Sequence, residues 1–489
     1  MENRQHRHDV SPAPGMLLAL LPWAAGAGAL CAGAAIMPSP VWAALALAGL
    51  CAFALVLARR APAAFILLAP LLVLRLTEFA SGVAIESGAS MSETATVGAP
   101  TGAFARLFLL QLMLFAASAG PIEKSWRELR QHLTTVPPPW RDESRALAIA
   151  LALLISLAAA TLAFLALRYG LPLIDHVDRF TYLARLEGTP YRSILMNRAV
   201  IAPLIGIVIA VPSTRRAGLV LLGSVLLVSV LFAEKFTSLL LIAASAGAPV
   251  VLLDVARRGH LRLRPLLTAP ILFALVSLPA ILIAYGALED SGRAWRRFAD
   301  RAAVQGQLWY LADRAGPPSD VDIPALRADF DSWVRPSDQE ATRAGTRFGL
   351  YYVMARFTPS HRLNSARRGG TGFVFALYPY LLLAGGIGGL ILGGVAIALY
   401  HGWALALMFR ALVEGRWFAA LAFARVINAS FACLSTGYLW NLFGVKTVAT
   451  FVVGLILLHA PRYRMNKTQP AIDPGPRTVP QLVREAPVP

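Results

Sequence analysis

Apolar runs of about 20 residues recur from end to end of the chain, separated by short polar stretches, and each run is long enough to cross the hydrocarbon core of a bilayer. The pattern predicts twelve spans, over 16–37, 41–58, 62–80, 104–120, 146–167, 194–212, 217–232, 238–254, 266–286, 372–400, 417–434 and 437–459. The expected fold class is an all-α polytopic membrane protein. Residues 1–15 precede the first helix, 16–286 hold helices one to nine, and 372–459 hold helices ten to twelve. Between these two blocks lies one large polar segment, 287–371. After residue 460 the chain is Pro-rich without apolar periodicity, which predicts a disordered tail. The run 372–400 carries Gly385, Gly386, Gly388 and Gly389 in its middle. It is either one tilted helix packed closely through small residues or a broken helix with a re-entrant start.

Composition agrees with this class. The 489 residues are 57% hydrophobic and 15% charged, against about 25% charged in soluble domains. The net charge of +18 raises nucleic acid as a partner, but its placement gives a simpler account. Arg59 and Arg60, then Lys124 to Arg145, Arg215 and Arg216, Arg257 to Arg264, Arg410 and Arg416, and Arg462 to Lys467 all fall at alternate loop ends, and Arg4 and Arg7 share their side. That is the positive-inside pattern. It expects both termini in the cytoplasm, places 81–103, 168–193 and 287–371 on the other side, and implies no nucleic acid. Cys31, Cys51 and Cys433 fall inside apolar helices, with no Cys/His metal spacing. No metal or cofactor is expected. The first helix reads as a retained span rather than a cleaved signal.

Candidate chemistry gathers in the polar stretches. Within 295–316 the positions Trp295, Phe298, Ala302, Gln305 and Trp309 form one helical face, which predicts an amphipathic helix on the membrane surface with its aromatics at headgroup level. The opposite face carries Arg296, Arg297, Asp300, Arg301 and Arg314. A solvated charged face accounts for these residues, and so does a pyrophosphate clamp, because the planar guanidinium grips phosphate oxygens in pairs and stays charged. Arg356, His361, Arg362, Arg367 and Arg368 form a second basic cluster leading into the Gly-rich span. His361 is a candidate general base, its cationic neighbours favouring the neutral ring. The stretch 168–193 mixes Asp175, His176, Asp178, Arg179, Arg185, Glu187 and Arg192 with Phe180, Tyr182 and Tyr191. Aromatic faces beside carboxylates suit sugars, and ordinary loop packing produces the same mixture. Glu234 with Lys235, in the tight turn between the seventh and eighth spans, and Arg75 with Glu78, inside the third, are expected to neutralise each other. We read no nucleotide-binding loop, metal triad, Ser-nucleophile elbow or DxD motif, so nucleotide-sugar or ATP chemistry is not expected.

The layout resembles the oligosaccharide repeat-unit polymerases of bacterial surface polysaccharides, the O-antigen polymerase (Wzy-type) group. The likeness rests on RYGLPLIDHVDRFTYL, AEKFTSLL, FADRAAVQGQLWY and RRGGTGFVFALYPYLLLAGGIGGLILGG, across roughly 146–400. It implies a nucleotide- and metal-independent glycosyltransferase of the bacterial inner membrane with one large periplasmic loop. The implied substrate is an undecaprenyl-pyrophosphate-linked glycan, and the implied surroundings are membrane lipid, a chain-length regulator and a flippase. By location, the family's periplasmic arginines map onto Arg179, Arg192, Arg301, Arg362, Arg367 and Arg368. Lys235 joins them as a phosphate ligand, and His361 or Asp178 is the base. The O-antigen ligases share the architecture and use a His near a helix mouth. A lipid-linked-glycan flippase or transporter is the alternative of another class.

Overall fold

The computed structural model describes residues 14–135, 140–175, 197–234, 236–261, 278–279, 282–283, 290–334, 347–368 and 374–461. Residues up to Leu458 form one compact unit. Helices α1 (Pro14–Ile36), α2 (Pro40–Arg60), α3 (Pro62–Glu86), α4 (Ala103–Thr135) and α5 (Trp140–Tyr169) come first. They are followed by α6 (Arg198–Ala210), α7 (Arg215–Leu231) and α8 (Phe236–Arg258). The polar segment contributes α9 (Ser291–Ala303), α10 (Gln307–Ala315), α11 (Ile323–Val334), α12 (Gly349–Phe357) and α13 (Ser360–Arg368). Then come α14 (Leu377–Gly388), α15 (Gly394–Val413), α16 (Trp417–Thr436), the single turn α17 (Trp440–Phe443) and α18 (Val445–His459). Between α3 and α4 a small antiparallel hairpin pairs β1 (Ser90–Met91) with β2 (Thr96–Val97).

Local chemistry sets these boundaries. Proline opens α2 and α3, where its missing N–H costs nothing. Ser39 caps α2 by accepting from the Val41 N–H at 3.3 Å. Arg59 and Arg60 close α2 at its negative end. Helices α4 and α15 pack closely because position 402 is glycine, where a Cβ would strike the Ser118 carbonyl.

Among the described residues, seven helical stretches are long and apolar enough to cross a membrane: Pro40–Arg60, Pro62–Glu86, Ala103–Gln131, Glu143–Tyr169, Thr237–Arg258, Leu377–Val413 and Trp417–Thr436. Leu21–Ile36, Arg198–Ala210 and Val445–His459 are apolar but shorter. Helix α6 is buried on all sides, as a helix apolar all round should be. The expected seventh span is the 17-residue α7. The ninth falls largely outside the described residues, as do most of 168–193 and the tail beyond 461. The expected twelfth span is divided at Gly444, between α17 and α18.

The polar segment is docked on the bundle. The expected surface helix over 295–316 is interrupted at 304–306, giving α9 and α10. Trp309 and Tyr310 face the protein, not the headgroups. The Trp309 indole donates to the Ala103 carbonyl at 2.8 Å, the Tyr310 hydroxyl accepts from the Ala99 N–H at 2.9 Å, and the Gly306 N–H donates to Ser81 Oγ at 3.0 Å. Arg106 grips Asp313 through two bonds of 2.7 and 2.5 Å. The turn at 304–306 splits the expected single face, and periodicity does not say what covers a face. Only α9 keeps the surface character: Trp295 is exposed and stacks on Phe298 at 5.4 Å.

A candidate functional site at a broken helix

Helix α14 breaks at Gly386, whose φ of 64° and ψ of −162° lie in a region only glycine enters readily. This decides between the two readings of the Gly-rich run in favour of a break. Carbonyls in its last regular turn accept from the polar segment instead. The Asp322 N–H donates to the Ala384 carbonyl at 2.9 Å, and the Tyr352 hydroxyl lies 3.4 Å from the Leu383 carbonyl. The docked segment therefore finishes the half-helix.

Asp322 ties three elements together. Its Oδ1 accepts from the Ala325 N–H at 3.0 Å, which caps α11. Its Oδ2 accepts from the Tyr352 hydroxyl at 2.6 Å. Arg356 donates to the same hydroxyl at 2.5 Å, stands 3.6 Å from Asp322 Oδ2, and lies over the Tyr352 ring at 4.6 Å. Burial, and then Asp322, hold the Tyr352 proton well above its usual range, with Arg356 opposing. Tyr352 thus donates and does not ionise. The Arg356 side chain remains 38% exposed, so this cation is fixed in place and still within reach of a ligand.

Behind Asp322, the Asp329 carboxyl of α11 is 1% exposed. It faces Trp333, Ser332 and, from α14, Tyr380. None of these closes to a well-formed bond: both Asp329 oxygens, the Trp333 indole nitrogen and the Tyr380 hydroxyl are left unsatisfied. Burial raises this carboxyl to about 7, while the Tyr380, Trp333 and Ser332 dipoles pull it down. Tyr380 packs edge-on against Tyr352 at 5.6 Å, so the two acids share one aromatic wall.

Helix α13 stands beside this cluster, anchored by buried Leu363 and by the Tyr351 hydroxyl, 3.4 Å from the Ala366 carbonyl. His361 and Arg362 are exposed on it. Arg367 is half-buried, and its charge opposes the rise that burial causes in the Tyr351 pKa. The structure thus gathers His361, Arg362 and Arg367 on one helix, with Arg356 on the helix before. The backbone of Arg368 ends α13. Arg301 is placed elsewhere, 52% exposed and paired at 2.5 Å with Glu93 beside the β-hairpin. Asp178, Arg179, Arg192 and Lys235 lie outside the described residues. Sequence reasoning from loop charge passes over Asp322 and Asp329. The expectation of no DxD motif is corrected: Asp320 with Asp322 and Asp329 with Asp331 have that spacing, and it was the available signal. In each, one acid is turned inward and the other is exposed. Among the described residues no group of three His, Cys, Asp or Glu side chains is placed to hold a metal.

A protein-family model described as a family of unknown function, DUF6418, matches residues 343–451. The match contains α12 to α17, the helix break and the first half of α18, and so includes Tyr352, Arg356, His361, Arg367 and Tyr380. Asp322 and Asp329 precede it. No curated protein and no solved structure matches the chain.

Proposed function

We propose that the chain is a membrane glycosyltransferase that polymerises undecaprenyl-pyrophosphate-linked oligosaccharide repeat units into a surface polysaccharide, in the bacterial inner membrane. The observation that carries this reading is α13: it presents His361 and Arg362 to solvent, beside Arg367 and a fixed Arg356, on a polar segment docked against an apolar bundle. A cationic face at the edge of a membrane helix suits a phosphorylated headgroup whose lipid stays in the bilayer.

In the reaction, a sugar hydroxyl of the acceptor attacks the anomeric carbon of the growing chain. The new glycosidic C–O bond forms as the bond from that carbon to the pyrophosphate oxygen breaks, and its electron pair leaves with the pyrophosphate. The hydroxyl proton passes to His361, with Asp178 the second candidate base. Arg362, Arg367 and Arg368 of α13, together with Arg179, Arg192 and Lys235, stabilise the charge gathering on the leaving group. Arg301 joins them only by exchanging Glu93 for phosphate. Holding two lipid-borne substrates in one plane lowers the entropic cost of their meeting.

A strain lacking the gene should lose long surface glycan but keep single repeats attached to core lipid. Loss of the single repeats as well would contradict polymerisation and favour the ligase reading, to which an exposed His361 just ahead of α14 also fits, or the flippase.

This reading carries a topology of twelve spans, with both termini cytoplasmic and 287–371 periplasmic. Its support is that α10 docks at the Ala103 end of α4 and beside Ser81 of α3, remote along those helices from Lys124 and from the Arg59–Arg60 turn preceding α3. Cysteine placed at Ser319, which is exposed, should react with an impermeant reagent in intact cells. Cysteine placed at exposed Ser213 should not. The opposite labelling would invert the topology.

A further inference from the structure

The interior of the bundle holds a second polar site, lined by no residue of α13. His401 of α15 is 1% exposed, and its Nδ1 lies 2.6 Å from Ser430 Oγ of α16. The Ser430 hydroxyl has one hydrogen, which it donates to the Ile427 carbonyl at 2.8 Å. The serine oxygen is therefore the acceptor, and His401 Nδ1 carries the ring proton. In the neutral ring this leaves Nε2 as a bare lone pair, buried and without a partner. Gln111 of α4 is equally buried, beside the Tyr378 hydroxyl, and its Nε2 also lacks a well-formed bond. Ser118, one helical face along α4, donates to the Ala398 carbonyl at 2.8 Å and keeps its oxygen lone pairs.

These three side chains, with Tyr378, line one small cavity whose other walls are Leu71, Leu114, Phe115 and Ile397. The cavity therefore offers one acceptor at His401, one donor at Gln111 and a further acceptor at Ser118. We propose that it is a binding site for a single water molecule, which donates to His401 Nε2 and Ser118 Oγ and accepts from the Gln111 amide. At about 10 Å³ the cavity reaches the smallest volume that holds one water, and it offers the number of partners a buried water needs. A cation does not fit the donor set: no carboxylate lines the cavity, and a bare charge held there by neutral groups would be costly. The water joins α4 to α15, and through Gln111 and Tyr378 reaches the start of α14, the helix that carries the docked segment.

A density map of the purified full chain that resolves ordered water should show one peak within hydrogen-bond reach of both His401 Nε2 and Gln111. A map with no such peak overturns the proposal. Because both side chains hold the same water, Gln111→Leu and His401→Phe should not add. The loss in the unfolding equilibrium constant from the double variant should fall short of the product of the single losses by about five-fold. Multiplicative losses would overturn the bridge. Replacing sodium by choline in the buffer should leave thermal stability unchanged, and a sodium-dependent shift would overturn the assignment to a neutral ligand. The density map decides the matter if either variant fails to fold.

Discussion

Glu78→Ala should destabilise the protein by about 3–5 kcal/mol, while replacing Arg75 and Glu78 together by Met and Leu should cost far less. Both side chains are fully buried within α3, and Arg75 Nη1 donates to Glu78 Oε2 at 2.5 Å. The guanidinium also lies over the rings of Phe375 and Tyr378, at 5.0 and 4.5 Å. Removing the carboxylate strands a cation in a low-dielectric interior. Removing both charges strands nothing and keeps the volume. The pair also sits where the chain enters α14, so the single variant should loosen that helix as well as α3. Denaturant unfolding of the purified wild type and the two variants in detergent checks this. A silent Glu78→Ala would mean that the cation reaches solvent by another route.

Asp329→Asn should flatten the pH dependence of stability. The buried carboxyl is raised from 3.8 to about 7. Between those values the folded protein holds a proton that the unfolded chain has released. The contribution is therefore complete below about pH 4, declines as pH rises, and is gone above about pH 7. A difference of about three units corresponds to about 4 kcal/mol at most. Asparagine is neutral throughout, so the variant should match the wild type in acid and exceed it above pH 7. Melting temperatures from pH 4 to 8 test this, and parallel curves for the two proteins would contradict it.

Much of the fold was legible because membrane helices are written in composition: runs of apolar residues mark α2 to α5, α8, the α14–α15 pair and α16. The Arg75–Glu78 pair was legible too, since i,i+3 spacing fixes that contact within one helix. Pairings between helices were not. Glu234 pairs with Arg198 at the start of α6, at 2.9 Å, a contact no sequence spacing announces, while the expected partner Lys235 lies outside the described residues. Trp309 shows the same limit: its spacing predicted a face, and only tertiary structure shows that α4 covers it. The break at Gly386 was one of two readings, because glycine permits both close packing and a positive φ. Asp329 was missed because Tyr380, which faces it, comes from α14, an element that only folding brings beside α11.

Purified protein reconstituted in lipid vesicles and supplied with an undecaprenyl-pyrophosphate-linked repeat unit should build a ladder of lengthening glycans without nucleotide. The ladder should be lost in His361→Gln, which can hydrogen-bond but cannot take the proton. Intact repeat units with no ladder from folded wild-type protein would rule out polymerisation.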